Sequence, residues 1–271
     1  MESPSKYSAK LRIVIASSGI VACLVSASAC RKAPTVAPNA IDSGDEKVAV
    51  AKIAEGDRLY EGREDMAKAR VAVAAYRQAV TADYGNYDAA WKLARATFYV
   101  GDNTDNDNEA EDMFRAGIES GKSAVKLQGG KPEGHFWLGA NYGGDAERST
   151  LAGLAAVQDI RNEMETVIKI DDKFQGGSAY LGLGRLYLKA PKVFGGDTTK
   201  AIDYLKKGLA ITPDNSLMKY YLAEAYDSEH RDAEAKKLIE EILTMKPDPE
   251  YVAEHKGAVE KANKLKQRIG S

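Results

Sequence analysis

Three histidines are the first residues in this chain that could do chemistry, and they stand far apart at His135, His230 and His255. No His-x3-His or His-Glu-x2-His spacing brings two imidazoles onto one helix face, as a zinc site on a helix requires. His135 falls on the packing face of a predicted helix, where a buried structural role is expected. The run Asp102-Asn103-Thr104-Asp105-Asn106-Asp107-Asn108-Glu109 sets oxygen ligands at alternate places, in the manner of a calcium loop. It lacks the central glycine and the bidentate glutamate at loop length. It is therefore read as a solvated turn between helices, with Asn108 capping the second. Gly182-Leu183-Gly184 lacks the third glycine and the preceding strand of a dinucleotide loop. Gly195-Gly196 and Gly129-Gly130 read as tight turns. No serine stands in a Gly-x-Ser-x-Gly elbow. These residues offer no catalytic, metal or cofactor site, so a non-enzyme is expected.

Cysteine chemistry is confined to the N-terminus, at Cys23 and Cys30. Lys6, Lys10 and Arg12 precede an uncharged run from Ile13 to Val25, which is too short to anchor in a bilayer but suits the apolar part of a signal peptide. Small residues lead to Cys30, an ending that resembles a bacterial lipobox, whose cysteine carries lipid and becomes the mature N-terminus. Ala27 stands where that motif prefers leucine. Ala27 and Ala29 also satisfy an A-x-A site for plain secretion. The expected organisation is a signal peptide over 1–29, a lipidated N-terminus and flexible tether over 30–47, and a folded domain over 48–269. Pro34, Pro38 and Gly44 keep the tether from packing. A chain processed at Cys30 has no second cysteine, so no internal disulfide forms. The expected location is periplasmic, held at a bacterial membrane by lipid.

The elements that must position any site are helical. The chain has 271 residues, 44% apolar and 29% charged, with a formal net charge of −2. That is ordinary for a globular body and offers no basic field for nucleic acid. Pro213 and Pro247 bracket two helical patterns. The first carries Leu222, Ala223 and Tyr226; the second carries Ala235, Ile239 and Ile242, spaced four then three, which marks one helix face. Ala72, Tyr76 and Ala79 repeat that spacing, as do Ile160, Met164 and Val167. Gly139, Gly184 and Ala223 hold equivalent places, each followed three residues later by Tyr142, Tyr187 or Tyr226. The surplus length between these units is expected in irregular turns around Gly143–Leu151 and Ala190–Asp197. A basic segment from Pro249 to Ile269 is expected to cap the last exposed seam.

The spacing of the bracketing prolines resembles a tetratricopeptide repeat. That resemblance implies an all-α right-handed superhelix of helix pairs with a C-terminal capping helix. A closer likeness covers about Lys131 to Leu243. The run Gly134-His135-Phe136-Trp137-Leu138-Gly139-Ala140-Asn141-Tyr142-Gly143 resembles the repeat core of bacterial lipoproteins associated with tripartite ATP-independent periplasmic (TRAP) transporters. Leu183-Gly184-Arg185-Leu186-Tyr187, Ala190-Pro191 and Phe194-Gly195-Gly196 resemble the next unit of that group, and a related pattern occurs in eukaryotic regulators of microtubule dynamics. The family resemblance implies a concave groove or pore for a partner.

Residues one step around from the packing face of each first helix should line that groove. They are Phe136, Asn141, Arg185, Tyr220 and Glu224, with Lys92 and Lys189 nearby. One guanidinium, one carboxylate and aromatic rings suit a small carboxylate or peptide ligand. The plainer alternative is that Arg185 pairs with Glu224 and only keeps the groove soluble. The expected function is a protein–protein adaptor in the cell envelope, associated with a TRAP-type transporter, needing no cofactor or nucleic acid. The alternative is a general secreted envelope scaffold without a small-molecule ligand.

Overall fold

Short polar side chains open the helices in the computed structural model, which describes residues 43–148, 150–247 and 252–270. The expected signal peptide, Cys30 and the tether as far as residue 42 lie outside the described residues. Among the described residues are eleven helices: α1 (Ser43–Glu61), α2 (Met66–Ala82), α3 (Tyr87–Asn103), α4 (Asp107–Gln128), α5 (Pro132–Arg148), α6 (Thr150–Ile170), α7 (Ser178–Lys189), α8 (Thr198–Ile211), α9 (Ser216–Ser228), α10 (Asp232–Thr244) and α11 (Val252–Gly270). The first begins at Ser43, so residues 43–47 of the expected tether belong to it. Asp65, Asn86, Asp197 and Asn215 each accept a hydrogen bond from a backbone N–H in the first turn that follows. Such a cap is worth about 1 kcal/mol. At α4 the cap is Asn106, not Asn108, because Asn106 holds an extended backbone and accepts from the Asn108 and Glu109 amides.

Successive helices pair, α1 with α2 through α9 with α10, and the pairs stack as a right-handed tetratricopeptide superhelix. The seams form where the sequence places small residues opposite large ones. A Cβ on Gly184 would stand 2.5 Å from Leu205 Cγ, so only glycine lets α7 and α8 approach this closely. Ala223 is fully buried at the equivalent place in α9. The four-then-three faces are buried throughout, Ala72, Tyr76 and Ala79 at 0% exposure. Burying one Leu or Ile side chain contributes about 1.5–3 kcal/mol, so these faces carry the stability. Ala258, Ala262 and Leu265 of α11 join the cluster of Leu222, Ile239 and Ile242, and this terminal helix covers the last seam as expected.

Two details differ from the repeat pattern. The surplus around Gly143–Leu151 is not an irregular turn: α5 runs on to Arg148 and α6 starts at Thr150. Ala146, in that extension, packs on the core built around Trp137 and Ile160, which favours helix over loop there. The other surplus is a turn. After α7, Pro191 leads into a short 3-10 segment, Lys192–Phe194, and Gly195 takes φ +93°. The Asp197 amide then donates to Tyr187 O at 2.8 Å and closes the turn.

Candidate functional site

The first helices, α1, α3, α5, α7 and α9, lie side by side along the inner face, and polar links join each to the next. Lys92 Nζ on α3 reaches Asp57 Oδ2 on α1 at 2.6 Å. Asn141 Nδ2 on α5 donates to Ala94 O on α3 at 2.9 Å. Arg185 on α7 pairs with Glu147 on α5, and Lys189 Nζ on α7 reaches Glu224 Oε1 on α9 at 2.7 Å. Arg268 on α11 pairs with Asp227 on α9 at 2.6 Å. Partly exposed ion pairs of this kind each add under about 1 kcal/mol. They fix the charge pattern of the face more than its stability.

Arg185, Tyr220 and Glu224 fall together on this face. The Arg185 guanidinium lies 5.0 Å from the centre of the Tyr221 ring, and its Nε has no hydrogen-bond partner among the described residues. Tyr220 meets Tyr221 edge-on at 5.1 Å. Burial, together with the nearby Glu224 carboxylate, pushes the Tyr220 hydroxyl up to about 12. Burial does the same to Tyr221, against the opposing pull of Arg185. The plainer pairing of Arg185 with Glu224 does not occur, because Glu147 takes Arg185 and Lys189 takes Glu224.

Asn141 and Phe136 do not line the face. Asn141 is 0% exposed, and its Nδ2 also donates to Trp137 O. Its carboxamide fills the space over Gly117, where an added Cβ would meet Oδ1 at 2.0 Å. Phe136 is buried edge-on against Trp137 at 4.9 Å and against Phe174 at 5.5 Å. The cause is local: α5 packs against α3, α4 and α6, and Phe174 follows α6, so this part of α5 is enclosed. The accessible portion of α5 starts further on and presents Glu147. Sequence reasoning missed Glu147 because it lies in the stretch read as a turn. Tyr221 is masked in the sequence by the adjacent Tyr220, and Lys261 sits on a helix whose pattern signals only a cap.

The other candidates resolve into structural roles. His135 is buried, with Nδ1 2.5 Å from Glu163 Oε2 and Nε2 2.9 Å from Gly129 O, so it ties α5 to α6 and to the preceding turn. The acidic run is divided among a helix end, a turn and a helix start. Asp107 pairs with Arg148, and Glu109 pairs with Arg70 while accepting from the Thr104 hydroxyl. That pairing holds the Glu109 carboxyl down to about 2. Among the described residues no group of three or more His, Cys, Asp or Glu side chains is arranged to hold a metal ion. None of the described helices is long and apolar enough to cross a membrane.

Stacked helix pairs with an inner face of charged and aromatic residues define a tetratricopeptide-repeat protein. Within that class, the TRAP transporter T-component family model matches residues 90–269, more than half of the chain, and the chain belongs to this family. The fold is similar to that of TTC0263, a thermophilic tetratricopeptide-repeat protein of Thermus thermophilus. Identity to it is 18% over 82% of this chain and 97% of that one, with a TM-score of 0.54. It is likewise similar to pilF of Pseudomonas aeruginosa, at 14% identity over 83% of this chain and 93% of that one, with a TM-score of 0.54. At such identities the likeness is one of fold. No curated protein matches the chain at significant similarity.

Proposed function

We propose that this protein is a non-enzymatic adaptor outside the cytoplasm, lipidated at Cys30, which engages another component of a TRAP-type transporter through its inner face. The observation that carries this reading is the coincidence of two things. The T-component match spans residues 90–269, and that span holds the accessible charged face formed by Glu147, Arg185, Lys189, Tyr220 and Glu224. The basic, apolar and small-residue order before Cys30 supports export and anchoring. Two acyl chains hold a protein at a membrane where one is marginal.

The test is affinity capture of the tagged full-length chain from membranes of its native host. The expected result is enrichment of transporter subunits, weakened roughly tenfold to a hundredfold by Arg185→Ala through loss of charge-assisted contacts. Lysine should rescue only in part, since an ammonium lacks the planar fork. Capture unchanged by Arg185→Ala would remove the inner face from the interaction. A Cys30→Ser variant should move to the soluble fraction, and a wild-type protein already soluble and unacylated would end the anchoring reading.

A further inference from the structure

Four helices meet at one patch of the inner face, and a fifth brings a carboxyl within electrostatic reach of it. Asp102 comes from the end of α3, Glu147 from α5, Arg185 from α7, Tyr220 and Tyr221 from α9, and Lys261 from α11. The Arg185 guanidinium and the Lys261 ammonium both approach the Tyr221 ring, at 5.0 and 5.7 Å, and Lys261 also lies 5.9 Å from the Tyr220 ring. Most charges here are already neutralised: Arg185 by Glu147, Lys189 by Glu224, and Arg268 by Asp227. Asp102 and Lys261 are in no ion pair among the described residues, although each is among the charges that act on the other. Both residues keep part of their surface exposed, while their charged ends are partly desolvated by the surrounding protein.

Their surroundings give each a reason to take up a counter-charge. Burial raises the Asp102 carboxyl above its ordinary value, against the opposing pull of Arg185 and with Glu147 adding to the rise. Burial lowers the Lys261 ammonium, and the neighbouring Arg185 charge lowers it further. A group whose charged form is disfavoured in the empty site gains most from an opposite charge. One acid and one base, each outside any ion pair of the described residues, with the Tyr220 and Tyr221 rings beside the base, together call for a ligand that carries both signs.

We propose that this patch binds a small zwitterion, an α-amino acid or a short peptide. The ammonium group lies between Asp102 and Glu147, the carboxylate lies between Lys261 and Arg185, and the apolar portion rests on Tyr221. The terminal helix α11 is then a wall of the site as well as the cap of the last seam. This rests on the reading of the inner face as a contact surface and adds the class of ligand.

The test uses the processed full-length chain and titration calorimetry with each of the common L-amino acids. For the tightest binder, three relatives follow: the amine lacking the carboxylate, the acid lacking the ammonium, and the glycyl dipeptide ending in that residue. At least one amino acid should bind, and removal of either charge should weaken it about tenfold to a hundredfold. Lys261→Ala should reduce affinity for the amino acid by a similar factor and leave affinity for the amine unchanged. Asp102→Asn should do the converse with the acid. A dipeptide that binds better than the free amino acid identifies the peptide as the source; one that binds worse identifies the amino acid. No binding by any amino acid overturns the proposal. So does an acid analogue that binds as tightly as the zwitterion, which would make this an anion site only. If transporter capture persists while zwitterion binding is absent, this inference fails and the adaptor reading stands.

Discussion

The two faces of α7 follow opposite rules. On one face Leu183, Gly184 and Tyr187 are buried against α8, and the fit is so close that a Cβ at Gly184 would meet Leu205. On the other, Arg185 and Lys189 reach sideways to Glu147 and Glu224 and remain at least partly open to solvent. The first face is dry and is set by volume, so nearly every substitution costs stability. The second is set by charge, and its links can be exchanged at little cost to the fold. In a repeat protein the seam therefore preserves the architecture while the inner face is free to acquire a function.

The strongest challenge to the seam is Ala201→Glu. Ala201 is 0% exposed where α8 meets the core containing Leu183 and Tyr187. A carboxylate there has no partner, and breaking or lacking a buried pair costs about 3–5 kcal/mol. Loss of the cooperative melt followed by circular dichroism is the expected outcome. Tyr226→Ala comes next. Tyr226 is 7% exposed, and Arg231 lies 4.2 Å from the centre of its ring. The cavity should cost about 3–5 kcal/mol and lower Tm by roughly 10 °C. Melts within a degree of wild type for both variants would show that the seam register is wrong.

A paired comparison sharpens the contrast between faces. Asn141 and Arg185 both read from sequence as groove residues, yet only Arg185 lies on the inner face. Asn141→Ala leaves two buried carbonyls, Ala94 O and Trp137 O, without this donor. It should cost about 1–3 kcal/mol of stability and leave partner capture intact in material that remains folded. Arg185→Ala should lower stability by less than about 1 kcal/mol and weaken capture. The reverse pattern, read by thermal melts and capture side by side, would exchange the roles of the two residues.

The difference between those two residues shows what a sequence of this kind discloses. The helical spacing located Ala72, Tyr76 and Ala79, or Ala235, Ile239 and Ile242, because burial on one face imposes a period that survives any choice of neighbours. Helix order, the capping helix and the turn at Ala190–Asp197 were legible for the same reason. The inner face has no such period. Whether position 136 or 147 of α5 is accessible depends on Phe174, which the chain brings back from beyond α6, and no local count contains that. Lys261 comes within electrostatic reach of Asp102 only through the stacking of the units between α3 and α11, which no local pattern contains. The extension of α5 through Arg148 was hidden by Gly143 and Gly144, residues that ordinarily mark a turn but are tolerated inside a helix whose other side chains find packing.

The smallest expected effect is on the second helices, and it depends on pH. Glu109 at the start of α4 accepts from Arg70 Nε at 2.6 Å and Nη2 at 2.8 Å on α2, as well as from the Thr104 hydroxyl. These contacts favour the carboxylate and hold its pKa down to about 2, against an ordinary value of 4.5. A pKa depressed in the folded state gives stability that is fully present above the unfolded value and is lost as pH falls through the folded value. The link should therefore be complete above pH 4.5, weaken below it and vanish near pH 2. Glu109→Gln lacks the charge at every pH, so its Tm should fall below wild type by on the order of 1–2 °C near neutrality. The two melting curves should converge as the solution is acidified through this window. A gap that stays constant down to about pH 2 would assign the effect to the Thr104 hydrogen bond and helix start, with no role for the charge. Convergence would show instead that even the outer helices use exchangeable ion pairs, leaving the dry seams as the part of the molecule that tolerates no exchange.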